Sequence, residues 1–274
     1  MEANDLPTLL AYTPRERARS LVRSAFPKRR WHVISARDNA EVSTTLRRSL
    51  VDAVLLDVGS TATAQAQGVG PSGDDVWRIA ALAQEFPSAP FFAITPLRST
   101  DAPVVARCAA LDFCDILVDG MDDPAARDIV GPQTFSARFV AALADPPAAL
   151  RLTSQMQQDT WRAIIGFAGR PVRTTALAQA VGVSREHLSR NFSLTGAPNL
   201  KRVIDLVRMI AAAELAKNPG LDIRDVASIL GFASSSHLAV TAQRVLGTRP
   251  ASLSRLRTID LLERFLQGRT RSRG

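Results

Sequence analysis

LAQAVGVSREHLSRNF, from Leu177 to Phe192, is the stretch that decides how the second half of this chain folds. It opens with a short helical segment and then places glycine at Gly182, where a tight turn wants a positive φ that costs glycine little. Ser184 follows as a good N-cap, so a second helix is expected to start at Arg185. Leu188 and Phe192 stand four apart and share one face, which should pack inward. That leaves Arg185, Glu186, Ser189 and Arg190, with His187 beside them, on the outside.

The same pattern returns about fifty residues on. Leu177-Ala178 with Gly182-Val183 recurs as Val226-Ala227 with Gly231-Phe232, Leu188 recurs as Leu238, and Gly196 and Pro198 recur as Gly247 and Pro250. Two copies indicate a duplicated supersecondary unit, since a solenoid needs three or more. Ala178 and Ala227 are small enough for two helices to cross closely. Asp222-Ile-Arg-Asp225 is a cap-plus-acid start for the first helix of the second unit, and Ser234 caps its second helix. Ser235, Ser236, His237 and Thr241 are the polar side chains that second helix offers. Around these units the sequence reads as helices only: 156–167, 175–181, 185–192, 200–217, 223–230, 235–245 and 259–266.

Charge separates this half from the first. Residues 1–150 carry 15 Lys and Arg against 18 Asp and Glu, whereas 151–274 carry 19 against 8, so an excess of eleven positive charges lies in the second half. Such asymmetry is the footprint of a polyanion-binding domain joined to a near-neutral one. Helices with basic N-terminal ends and short polar side chains suit a DNA major groove.

Residues 157–255 resemble the DNA-binding domain of the AraC/XylS family of bacterial regulators. The matching stretches are Leu177-Ala178, Gly182-Val183-Ser184, His187 to Phe192, the Gly196–Pro198 turn, Arg208 and Ala212, Val226-Ala227, Gly231-Phe232, Ser234, Ser236-His237-Leu238, and Gly247-Thr248-Arg249-Pro250 with Leu253. The resemblance implies that the long middle helix holds two helix-turn-helix units apart, so that their recognition helices enter successive major grooves, ~34 Å apart on one DNA face. It also implies a cytoplasmic, sequence-specific regulator of transcription that binds double-stranded promoter DNA and works with RNA polymerase. One departure stands out. Where the family usually has Phe-x-Arg-x-Phe, this chain has Leu238-Ala-Val240-Thr-Ala242, which implies a retained fold and weaker base readout from the second unit.

The first half alternates apolar runs with amphipathic stretches. Strands are expected at 8–12, 31–35, 53–58, 90–95 and 116–118, and helices at 15–26, 40–50, 74–86, 102–111 and 134–143. Near-continuous apolar strands alternating with helices imply a parallel sheet covered on both faces, and five such units point to a flavodoxin-like order. Asp145-Pro146-Pro147 is the linker signal, because two prolines stop a helix and stiffen the connection. The expected domains are 1–147, α/β, and 148–274, all-α.

In strand and helix order residues 8–145 resemble the receiver domain of response regulators. Asp57 ends the third strand, where receivers place the phosphorylated aspartate, and Thr95 ends the fourth, where they place a switch hydroxyl. The acidic pair after the first strand is replaced by Tyr12-Thr13-Pro14, and the lysine after the fifth by Asp119 or Gly120. Phosphoryl transfer to a carboxylate needs a cation against the developing charge, so the expectation is a pseudo-receiver that regulates or forms a homodimer. An active response regulator using Asp57 is the alternative. A protein-interaction module with weak DNA binding is another.

Further chemistry is not expected. Gly68-Val-Gly70-Pro-Ser-Gly73 lacks the Gly-Lys-Ser/Thr of a P-loop. Cys108 and Cys114 are too few for a disulfide framework or a thiolate zinc site. His32, His187 and His237 have no carboxylate or Cys at ligand spacing, so no metal, cofactor or catalytic triad is expected. No apolar run approaches the ~20 residues of a membrane span, and residues 1–10 lack a basic run before an apolar one, so no signal peptide is expected.

Overall fold

The computed structural model describes residues 6–59, 73–194 and 196–270. Most of the Gly68–Gly73 stretch lies outside them. The chain folds as two compact units, Met1–Arg138 with Asn218–Gly220, and Phe139–Lys217 with Leu221–Gly274.

In the first unit the apolar runs form strands β1 (Thr8–Tyr12), β2 (His32–Ser35), β3 (Ala53–Asp57), β4 (Phe91–Thr95) and β5 (Asp115–Val118). All pair in parallel, in the order β2-β1-β3-β4-β5. This is the flavodoxin-like order that the βα alternation implies. Every residue of β1, β3 and β4 is buried, as expected for central strands covered on both faces. Alternate residues sort to opposite faces. Leu9, Ala11, Leu55, Phe92 and Ile94 form one cluster with Leu21 and Val22 from helix α1 (Glu16–Ala25), with Phe26 just after it, and with Ala126 and Val130 from a helix at Asp123–Val130. Helices α2 (Asn39–Arg48) and α3 (Gly73–Glu85) pack on each other and on β1 and β3. Helix α4 (Ala102–Ala110) follows β4.

The helix at Asp123–Val130, α5, was missed in the sequence, although Asp122 and Pro124 are a start signal: an N-cap residue followed by proline in the first turn. Asp52, fully buried, accepts from the backbone N–H of Thr8 at 2.7 Å and of Ser136 at 2.9 Å. It thereby ties the start of β1 to helix α6 (Phe135–Ala142).

The second unit contains helices only among its described residues: α7 (Gln155–Gly166), α8 (Thr174–Ala180), α9 (Arg185–Asn191), α10 (Leu200–Leu215), α11 (Ile223–Ile229), α12 (Ser235–Leu246) and α13 (Thr258–Thr270). Eleven of the sixteen residues of α10 are buried, so it is the central post of this unit. Trp161 of α7 is fully buried, and its Nε1–H donates to the Leu143 carbonyl oxygen at 2.8 Å. No described helix is long and apolar enough to cross a membrane.

Candidate nucleic-acid interface and the Asp57 cluster

The two repeats are built alike. In the first, Leu177 and Ala178 of α8 are buried, Gly182 turns at φ 70°, and Ser184 accepts the N–H of His187 at 3.1 Å to cap α9. In the second, Asp222 accepts the N–H groups of Arg224 and Asp225 at 2.7 and 2.8 Å, and Asp225 accepts the Asp222 N–H in return, which closes a capping box on α11. Ser234 caps α12 by accepting from the His237 N–H at 3.1 Å. Gly231 answers to two demands. It turns at φ 63°, and a Cβ there would lie 2.4 Å from the Pro171 ring.

Leu188 and Phe192 are fully buried, which leaves Arg185, Glu186, His187, Ser189 and Arg190 exposed on α9. His187 is steadied along the helix by Asn191, whose Nδ2 lies 3.1 Å from its Nδ1. The end of α9 is held from below by a residue the sequence did not flag. Gln157 of α7 is fully buried; its Oε1 accepts the Ser154 N–H at 2.9 Å and its Nε2 donates to the Phe192 carbonyl oxygen at 2.6 Å.

On α12, Leu238, Thr241, Ala242, Val245 and Leu246 are buried. Thr241 must therefore be removed from the expected contact set. Its side chain is 2% exposed, and its hydroxyl donates to the His237 carbonyl oxygen at 2.9 Å. Its position three residues after Leu238 already placed it on the inward stripe. Ser236, His237, Val240, Gln243 and Arg244 are exposed, and Ser235 is half-buried. The sequence reading missed Gln243 and Arg244. Arg244 reaches Asp205 of α10 at 2.7 Å, and the His237 ring meets the Phe232 ring edge-on at 5.6 Å.

Arg208 of α10 has an architectural role. Its Nη2 donates to the Leu230 carbonyl oxygen at 2.9 Å, at the end of α11, and its guanidinium lies 3.9 Å over the Phe232 ring. Burial lowers its pKa, opposed by Asp205. One cation thus fixes the turn of the second unit to the central post.

At the C-terminal edge of the first unit's sheet, the charges are arranged inversely to the expected receiver site. The Arg15 backbone N–H donates to Asp57 Oδ2 at 3.0 Å and its Nε to Asp57 Oδ1 at 2.7 Å. Its Nη1 and Nη2 donate to the two Asp119 oxygens at 2.5 and 3.2 Å. The Asp57 side chain is fully buried and that of Asp119 is 7% exposed, with Arg15 at 20%. Burial pushes the Asp57 carboxyl upward, against the pull of Arg15 and the Gly59 N–H. Burial also opposes the Arg15 charge, but its hydrogen bonds to Asp119 and Asp57 outweigh this and its pKa rises. Gly59 leaves the room: a Cβ there would lie 2.6 Å from Arg15 Cζ. Thr95, buried at the end of β4, donates its hydroxyl to Asp101 at 3.1 Å. The sequence reading had Asp57 without a cation, and the structure supplies one from the start of α1.

Comparison with known proteins finds a family match in the second unit. Residues 177–255 match the family described as a helix-turn-helix domain. The chain is 29% identical over 164 residues to the HTH-type transcriptional regulator GlxA of Rhizobium meliloti (strain 1021) and spans about half of that relative's length, 47%, with 59% of its own. Among solved structures, it resembles a response regulator from Thermotoga maritima at 18% identity, over 46% of this chain and 98% of that one, with a TM-score of 0.36. It also resembles full-length FixJ from B. japonicum at 13% identity, over 86% and 96%, with a TM-score of 0.33. The receiver-like assignment rests on the strand order and the position of Asp57. Residues 177–255 match a helix-turn-helix domain and carry the residues by which the chain resembles the AraC type, in one chain with a domain whose parallel strands run in the order β2-β1-β3-β4-β5.

Proposed function

We propose that this chain is a sequence-specific DNA-binding regulator of transcription that acts without phosphorylation of its N-terminal domain. The observation that carries the reading is the duplicated helix-turn-helix unit, with two N-capped helices facing outward on a half of the chain that holds eleven more basic than acidic residues. Arg185 and Arg190, with Glu186, His187 and Ser189, are the proposed contacts of the first unit, and Ser235, Ser236 and His237 those of the second. The name of the GlxA relative supports a role in transcription. Our division of labour is a regulatory domain over 1–147 and a DNA-binding domain over 148–274, working in the cytoplasm. RNA polymerase is the proposed downstream partner, and a homodimer through the first domain the proposed assembly.

Independence from phosphorylation is supported by Arg15. A fixed guanidinium between Asp57 and Asp119 covers the carboxylate that would accept a phosphoryl group and stands where a metal ion would have to approach.

The test is a gel shift of the full chain on the promoter region of its own gene across a salt series. With several phosphates neutralised, affinity is expected to fall on the order of a thousandfold between 50 and 200 mM salt. Absence of any shift at low salt overturns the reading.

A further inference from the structure

The exposed face of α12 carries an apolar group that the fold does not use. Val240 is 64% exposed. The helix already buries Leu238, Ala242, Val245 and Leu246 against the rest of the unit, so packing within the chain makes no demand for an isopropyl group at 240. Its neighbours on the same face are polar: Ser236 one turn before, and Gln243 and Arg244 one turn after. Arg244 is held by Asp205 at 2.7 Å. The middle of the face is therefore a small apolar knob flanked by a hydroxyl and an amide.

The repeat says what this position is for. The fifty-residue shift that superposes Leu188 on Leu238 superposes Arg190 on Val240, and both residues point outward from a Ser-capped helix. In a major groove, an arginine there suits the O6 and N7 acceptors of guanine, whereas an aliphatic side chain suits the C5-methyl of thymine. Resting on the DNA-binding reading above, we propose that Val240 is a specificity residue that reads a thymine methyl in the half-site under the second unit. The second unit then reads apolar rather than charged base chemistry. The net positive charge of this half of the chain and the hydrogen-bonding groups on either side of Val240 favour DNA over a protein as the occupant.

The experiment uses the full chain and a site selected by it from a random duplex pool. Each thymine of the second half-site is replaced in turn by deoxyuridine, which removes the methyl and leaves pairing intact. One replacement is expected to weaken binding about three- to tenfold, the range for losing one buried methyl contact. Val240→Ala should weaken binding to the thymine site similarly and lose little more on the uracil site. Val240→Arg should move the preference at that base pair towards G·C. Because Val240 is exposed, both variants should melt like the parent chain. The proposal is overturned if no uracil in this half-site matters, or if the penalty persists unchanged in Val240→Ala. It is also overturned if Val240→Ala lowers transcription without changing DNA affinity, which would mark a protein contact. If the pool yields no selected site, the DNA-binding reading itself fails. If it yields one dependent on Arg190 but indifferent to the uracils, only the role of Val240 fails.

Discussion

Arg15 Nε lies 2.7 Å from Asp57 Oδ1, so the aspartate that ends β3 is engaged by a cation of its own chain. With Asp119 on its other side, Arg15 satisfies two carboxylates that would otherwise repel each other across a nearly dry edge of the sheet. Acetyl phosphate with magnesium is expected to leave the chain unlabelled. Asp57→Asn should change DNA affinity less than about twofold, while costing roughly 1–3 kcal/mol of stability through the weakened pair. Stoichiometric phosphorylation at Asp57, or loss of promoter control in the Asn variant at equal protein level, sinks the pseudo-receiver reading.

Arg15→Ala should cost more than Asp57→Asn, because it removes the guanidinium from two carboxylates at once. Removing one partner of a buried pair costs about 3–5 kcal/mol, and the partial exposure of Arg15 places this case near the lower end. Urea unfolding of the full chain, followed in the transition of the first unit, measures it. Gly59→Ala tests the same geometry from the other side. Its Cβ would lie 2.6 Å from both Arg15 Cζ and Pro96 Cδ, so it should destabilise that transition in the parent and, because the proline contact persists, only partly less in Arg15→Ala.

Much of this architecture was legible because its causes are local. Gly182, Ser184, Asp222 and Ser234 act within a turn of their own helix, and the buried strands announce themselves as apolar runs. The α5 helix is equally local, signalled by Asp122 and Pro124 but carrying no long apolar run. Thr241 faces inward rather than towards DNA, as its spacing of three from Leu238 dictates. Arg15 and Gln157 are different. Arg15 meets residues 42 and 104 positions away, and Gln157 meets Phe192, 35 away. A polar side chain gives no sign of such a partner until the sheet or the helix bundle is assembled.

The two cysteines should react unequally. Cys108 is buried in the first unit, and burial pushes its thiol up to about 11. At pH 8 roughly one in a thousand would be thiolate, the reactive form, even if reagent could reach it. Cys114 is exposed. A disulfide reagent at pH 8 is therefore expected to titrate one thiol quickly in the native chain and the second only on unfolding. Two fast thiols, or a Cys114→Ser variant that still shows one, contradict the burial of Cys108.

The two helix-turn-helix units should contribute unequally to charge-dependent binding. Arg190 lies in the exposed face of α9, set by buried Leu188 and Phe192. A bidentate arginine–guanine contact is worth about 1–3 kcal/mol of discrimination, so Arg190→Ala should lose roughly 5- to 150-fold in specific affinity. Arg185, exposed at the helix start, should act on phosphates: Arg185→Ala weakens specific and nonspecific DNA alike and flattens the salt slope by about one unit. Ser236→Ala removes one uncharged hydrogen bond and should cost about 1 kcal/mol or less. Footprinting with base substitutions then separates the half-sites. Changes under α9 should hurt binding more than changes under α12, where Val240 and Ser236 offer no long charged group. The opposite ranking would show that the arginine face of α9 is not the principal reader.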